Sequence, residues 1–241
     1  MVPSGDGSYT AYSVAYGEHY HSTKDGALHE SLCKHVIPAF MLKKSQDTIT
    51  ILDICFGLGF NTLATLYYHK LHKLDSKIAI YSPELDEALV SSLKDFVYPK
   101  EFDWMREIIE SLSQKREYQN EHWHVKVIMG DARAIIKEFS HAEFDVVYQD
   151  AFSPSANPLL WTSEYFSDIR RVMKDDGVLT TYSTALATRL ALYENGFKIY
   201  LNCGEGYRNA TIASPQEIDE LERVDMAHKI ACNPGAKALR D

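Results

Sequence analysis

From Ile49 onward the chain alternates short, β-branched apolar runs with longer segments of helical spacing, and few folds accept that rhythm. The apolar runs fall at 49–54, 77–82, 124–129, 144–149 and 178–183, and helical spacing fills 60–72, 84–97, 132–139, 163–173 and 185–194. Strands this apolar need cover on both faces, and a helix between successive strands supplies it through right-handed crossovers. The alternation therefore predicts an α/β fold built on a parallel sheet wound with helices. Two segments depart from it. Residues 101–117 read as an extra helix, with Phe102, Met105, Ile108, Ile109 and Leu112 on one face, inserted at about 100–118. Runs 197–201 and 210–213, joined across Gly204-Glu-Gly206, read as a closing hairpin that makes part of a seven-stranded sheet antiparallel.

Upstream, residues 1–45 carry Tyr9, Tyr12, Tyr16 and Tyr20 and read as a short hairpin followed by a helix near 28–40 that stops around Pro38. They form an N-terminal extension on a core spanning 46–241, so a single domain over 1–241 is expected, a usual size for one α/β unit. No run of eighteen apolar residues occurs, and the N-terminus lacks the charged-then-apolar pattern of a secretory signal. A cytoplasmic protein with no membrane partner is expected. Cys33, Cys55, Cys203 and Cys232 lie far apart without a Cys-x-x-Cys pair, which favours reduced thiols over a disulfide framework or thiolate zinc site. A formal net charge of −9 argues against a broad nucleic-acid footprint, although Lys70, Lys73 and Lys77 could form a local basic patch.

Chemistry concentrates at the ends of the predicted strands. The first runs into Cys55-Phe-Gly57-Leu-Gly59-Phe-Asn61, a turn whose glycines let a nucleotide-type ligand approach the backbone at a helix start. A dinucleotide fingerprint would place a third glycine at position 62, where this chain has Thr62, and no Gly-Lys-Ser/Thr follows for a Walker loop. Glu84 stands after the second strand, placed to accept from both hydroxyls of a ribose, and Asp131 after the third, placed to accept from an adenine amino group. Asp53 ends the first strand, where a carboxylate can hold a cationic amino group directly or through water. Asp53, Gly57, Gly59, Glu84 and Asp131 together suit S-adenosyl-L-methionine, an adenosine without phosphate. After the fourth strand comes Asp150-Ala-Phe-Ser-Pro-Ser-Ala-Asn-Pro-Leu-Leu-Trp161, a rigidly held acid followed by a loop that Pro154 and Pro158 stiffen.

That last segment is similar to Asp-x-Phe-x-Pro-x-x-Asn-Pro-x-x-Trp of the methyltransferase domain of the tRNA 5-methylaminomethyl-2-thiouridine biosynthesis enzymes. Further matches are Phe56-Gly-Leu-Gly-Phe-Asn61, Tyr20-His-Ser22 with Asp25-Gly-Ala-Leu-His-Glu30, Gly130-Asp-Ala132, Gly196-Phe197 and the closing Ala-Leu-Arg-Asp241. The resemblance, to the free-standing form without an oxidase domain, extends over most of the chain. Cys55 stands where the family commonly has glycine, and the family's basic glycine-rich loop is reduced here to Gly204-Glu-Gly-Tyr-Arg208-Asn. Such a relation implies a Rossmann-like class I methyltransferase fold and cofactor contacts that add Tyr20, Ser22, Asn61, Ala132 and Asp150 to the five residues above. It also implies substrate contacts from Phe152, Pro154, Asn157, Pro158, Trp161 and Arg208, with tRNA as partner. Separate oxidase or amine-installing enzymes would act earlier on the same wobble base.

The implied reaction moves a methyl group onto the primary amine of 5-aminomethyl-2-thiouridine at the tRNA wobble position. Holding both reactants in line supplies on the order of 7 to 11 kcal/mol of the barrier. An ammonium beside a sulfonium is repelled by roughly 4 kcal/mol at about 4 Å and an effective dielectric near 20, which helps deprotonate it by about three pKa units. Asp150, the expected catalytic residue, favours the cation by a similar amount while orienting its N–H bonds, so it serves as anchor or as base. Phe152, Tyr20 and Trp161 would stack on the base or wall the pocket. Two rival functions are a methyltransferase or aminopropyltransferase acting on a free small amine, and a catalytically silent cofactor- or RNA-binding module. The pairs His19/His21, His122/His124 and His69/His72 have metal-compatible spacing but no identifiable third ligand, so no metal is expected.

Overall fold

A computed structural model describes all 241 residues. The N-terminal extension folds as two small ribbons, β1 (Val2–Pro3) with β2 (Tyr9–Thr10) and β3 (Tyr12–Ser13) with β4 (Glu18–His19). A helical stretch follows: α1 (Ala27–Ser31), a π-helical turn (Leu32–Val36) and α2 (Ile37–Lys43). Here the sequence expectation fails, because the helix runs through Pro38. Proline sits in the first turn of α2, where its missing N–H breaks no interior bond, and the wide π turn before it absorbs the ring.

Next come β5 (Thr48–Ile54), α3 (Phe60–Leu71), β6 (Lys77–Glu84), α4 (Glu87–Ser92), α5 (Arg106–Lys115), β7 (Glu117–Gln119), β8 (Trp123–Met129), α6 (Ala132–Glu138) and β9 (Phe144–Gln149). The chain continues with α7 (Ser163–Val172), β10 (Met173–Thr181), α8 (Leu186–Glu194), β11 (Lys198–Asn202), β12 (Ala210–Ser214) and α9 (Met226–Cys232). The sheet order is β11-β12-β10-β9-β5-β6-β8-β7. Strands β8, β6, β5, β9 and β10 are parallel, and β12 runs antiparallel between β10 and β11, as expected of a Rossmann-like methyltransferase sheet. To the seven expected strands the fold adds β7, an antiparallel edge strand on β8. Its three residues are too few to show alternation, and α9, which follows the acidic stretch 217–225, is likewise absent from the sequence expectation.

Alternation along β5 explains the layering. Ile49 and Ile51 enter one apolar cluster of 25 buried residues, whereas Leu52 and Ile54 enter another of 24 on the opposite face. Both faces are thus covered to a similar extent. The inserted helix buries Ile108, Ile109 and Leu112 on the first face, next to Phe102 and Phe60, whose rings lie 5.9 Å apart. The sheet fans in opposite directions from β5, and at this switch point the carboxyl ends of β5 and β9 leave a crevice.

Candidate active site

A cavity of about 960 Å³ occupies that crevice, floored by the ends of β5, β6, β8 and β9 and roofed by the β3–β4 ribbon. Its shape starts with the turn after β5. Gly57 has φ +54°, and a Cβ there would come within 3.2 Å of the Tyr20 ring, so glycine is needed both for the backbone and for the aromatic against it. Cys55, also on the wall, has φ +67°, a conformation that favours glycine and strains a residue bearing a Cβ.

Glu84 ties this turn to β6. One carboxylate oxygen accepts from the N–H groups of Leu85 (2.7 Å) and Asp86 (2.8 Å), and the other accepts from Gly57 N–H (2.8 Å). The acid is locked on the wall with one acceptor site, on the oxygen that meets Gly57, still free. Asp131 caps α6 by accepting from Arg133 N–H (2.8 Å), with Ala132 beside it on the wall. Arg133 in turn pairs with Asp241.

At the end of β9, Asp150 accepts from Asn61 Nδ2 (2.8 Å), and its other oxygen lies 3.4 Å from His35 Nε2. Burial pushes the carboxyl up, but the imidazoles of His35 and His21 and the Asn61 amide outweigh it, leaving Asp150 below the usual carboxylate range. Asn61 lines the cavity, while its Oδ1 is buried without a hydrogen-bond partner. Tyr16 stacks on Phe152 with ring centroids 4.4 Å apart, and Tyr20 tilts against the same ring at 5.0 Å. Burial, with Glu84 adding to it, pushes the Tyr20 phenol up to about 12, so it remains neutral. Glu18 accepts from both the N–H (3.0 Å) and the hydroxyl of Ser153, clasping the ribbon to the loop after β9.

Of the residues singled out from sequence, Tyr20, Ser22, Gly57, Asn61, Glu84, Asp131, Ala132, Asp150, Phe152, Asn157 and Arg208 come together on the cavity wall. Five others do not. Asp53 is 1% exposed and faces inward, accepting from Thr62 Oγ1 (2.8 Å) and Asn61 Nδ2 (3.4 Å). It positions Asn61 and lies behind the cavity wall; burial above all, with Asp150 adding to it, pushes its carboxyl up to about 7. Trp161 is wholly buried, donating from Nε1 to the Phe152 carbonyl (2.8 Å), so it anchors the loop and cannot stack on a base. Pro154 and Pro158 shape the loop from outside the wall, and Gly59 lies behind it as the N-cap of α3. His35 and Glu18 are missing from the sequence reading, which gives Tyr16 only as one of four tyrosines of the extension. Glu18 and Tyr16 sit in a ribbon whose position over β9 only the tertiary fold creates, and a lone histidine in a helical stretch carries no local signal.

Seven Asp and Glu side chains line the cavity against three cations, Lys24, Arg133 and Arg208. Such walls suit a cationic ligand. The locked acceptors Glu84 and Asp131, the close-approach turn at Gly57 and the buried, unpartnered Asn61 Oδ1 fit an adenosine linked to a cationic amino acid. Residues 94–216 match the model of a family described as S-adenosyl-L-methionine-dependent methyltransferase. The solved structure of MNMC2 from Aquifex aeolicus is 34% identical and superposes with a TM-score of 0.84, covering 100% of this chain and 78% of that one.

This chain is a methyltransferase of that family, and S-adenosyl-L-methionine is its cofactor.

An uncharacterised protein of Methanocaldococcus jannaschii is 31% identical over 97% of the methyltransferase and 66% of its own length. The tRNA 5-methylaminomethyl-2-thiouridine biosynthesis bifunctional protein MnmC of Ralstonia nicotianae is 28% identical over 85% of the chain but only 33% of that protein. The methyltransferase therefore spans about two thirds of the first relative and one third of the second. A probable spermidine synthase from Corynebacterium glutamicum, 16% identical with a TM-score of 0.55 over 89% of this chain and 80% of that one, shares the fold.

Proposed function

We propose that this methyltransferase converts 5-aminomethyl-2-thiouridine to 5-methylaminomethyl-2-thiouridine at the wobble position of tRNA, working in the cytoplasm after separate enzymes have installed the amine. The observation that carries the proposal is Asp150, a carboxylate kept below its usual pKa range at a strand end, facing a cavity beside the stacked Tyr16–Phe152 pair. Similarity to MnmC proteins supports the choice of amine and nucleic acid.

Bound S-adenosyl-L-methionine supplies an electrophilic methyl carbon on a sulfonium. Ionised Asp150 accepts an N–H of the neutral amine and orients the remaining lone pair; it then compensates the positive charge that grows on nitrogen. The proton leaves the product ammonium for Asp150 or water. Phe152, Tyr16 and Tyr20 exclude water and offer faces on which a thiouracil ring can stack, while Lys24 and exposed Arg208 stand near the mouth for phosphate.

Transfer to a free small amine is the second reading, favoured by the acidic walls and the net charge of −9. Mass spectrometry of tRNA nucleosides from cells lacking this chain decides between them. Accumulated 5-aminomethyl-2-thiouridine with loss of its methylated product is expected; an unaltered profile, with methylation of polyamines by the purified protein, would establish the second.

A further inference from the structure

We propose that His35 is a positioning residue for Asp150: its Nε2–H, set in that tautomer by Thr180, holds the carboxylate charged and turned toward the cavity. The inference rests on the reading of Asp150 as the group that meets the amine.

His35 is wholly buried in the π-helical turn Leu32–Val36, beneath the crevice. Its Nδ1 lies 2.9 Å from the Thr180 hydroxyl on β10, and its ring meets Tyr148 edge-on at 5.5 Å. Nε2 has no aligned hydrogen-bond partner, and Asp150 Oδ1 lies 3.4 Å away. With hydrogen on Nδ1, the Nε2 lone pair would face the carboxylate inside the protein, where the repulsion is poorly screened. With the Thr180 hydroxyl donating to Nδ1, Nε2 carries the hydrogen and faces Asp150 attractively. A 3.4 Å approach is long for a formed bond, as is common for catalytic hydrogen bonds before substrate arrives.

The surroundings make such a partner necessary. Asp53 stands on the far side of Asn61, and its ionised form raises the energy of a charged Asp150; Cys55 on the adjoining turn, kept neutral by burial, and Tyr182 on β10's exit offer no charge to offset it. His21 is nearby, but burial holds it toward its neutral form and its Nδ1 is 3.9 Å from Glu30, which itself pairs with Lys34 at 2.6 Å. His35 and Asn61 are the two groups within 3.5 Å that donate toward the Asp150 oxygens.

Three variants test this: His35→Leu removes the donor, His35→Gln restores one, and Asp150→Asn removes the charge. The Asp150 carboxyl is followed by carbon NMR against pH and the His35 tautomer by nitrogen NMR, beside single-turnover methylation of tRNA bearing the aminomethyl group. In His35→Leu the Asp150 titration should move up by about one pH unit; because Asp150 stays ionised at neutral pH, the roughly tenfold fall expected in the methyl-transfer rate there reports the lost orientation of the carboxylate. Cofactor affinity should stay within about twofold, and His35→Gln should recover most of both losses. Asp150→Asn should shift the His35 nitrogen signals. An Asp150 titration unmoved in both His35 variants, or His35 signals blind to Asp150→Asn, overturns the proposal. Should His35→Leu fail to fold, Asp150→Asn carries the test through the His35 nitrogen signals. If wild-type protein leaves aminomethyl-tRNA unmodified while the NMR coupling holds, the substrate is wrong and the His35–Asp150 pairing stands.

Discussion

Asp53 near the end of β5 and Cys55 on the turn that follows, two residues apart, each place a local penalty at the site. A side chain at φ +67° is strained by about 1 to 2 kcal/mol, part of which glycine would return as unfolded-chain entropy. Cys55→Gly should therefore raise stability by up to about 1 kcal/mol, an increase of roughly 2 to 4 °C in Tm for a chain of this size. Thermal unfolding that shows a lower Tm would remove the strain argument. Asp53 makes a pH-dependent penalty. The unfolded carboxyl ionises near pH 4, whereas the folded one holds its proton until about 7, so stability falls as pH rises between those values and the deficit is constant above. Asp53→Asn should gain stability over wild type across that window, by at most about 4 kcal/mol, and gain nothing below pH 4. Denaturant titrations at pH 4 and pH 8 read the difference, and equal gains at both would refute it. Asp150 works the other way: its lowered pKa contributes stability at neutral pH that is lost as pH falls through the folded value.

At the scale of elements, the β3–β4 ribbon is the part of the site with the fewest covalent neighbours and the most specific clasp. Two donors of Ser153 meet one carboxylate of Glu18, and Tyr16 lies flat on Phe152. Hydrogen bonds to a charged acceptor are worth about 1.5 to 3 kcal/mol, so Glu18→Ala should increase amide exchange over 12–19 and cofactor dissociation roughly tenfold, with Tm little changed. Hydrogen exchange and stopped-flow release measure these; unaltered exchange would show that the aromatic stack alone holds the ribbon. The core strands were legible because each is an apolar run bounded by turn residues. The helix through Pro38 was not, since a π turn has no sequence period of its own and proline in a first helical turn looks like a breaker.

For the whole molecule, a ligand that binds only the folded state stabilises it by mass action. S-adenosyl-L-methionine at a hundred times its Kd should add about 2.7 kcal/mol, or roughly 5 to 11 °C in Tm, and a flat melting temperature would contradict a formed cofactor site. The charge distribution sets how RNA can be held. With an acidic cavity whose cations are Lys24, Arg208 at 3.8 Å from Asp25 and Arg133 paired with Asp241, phosphate neutralisation is limited to few contacts. Affinity for tRNA should fall with salt with a log–log slope no steeper than about −2, read by fluorescence titration at several ionic strengths. A steeper slope would mean that surfaces away from the mouth, such as the one near Lys70, bind RNA as well.

The sequence by itself determined the winding order, the glycine turn and the acids at four strand ends, because alternation and strand-end placement are local properties that the chain displays without its neighbours. It also carried the family, through the Asp150–Trp161 segment. Only the tertiary structure decided which of those groups face the ligand. Asp53 turned inward to Thr62, Trp161 went into the core, and His35 arrived under Asp150 from more than a hundred residues away. Burial and pairing depend on what packs from other elements, and a carboxylate's charge is set by those neighbours; neither is written at the position itself.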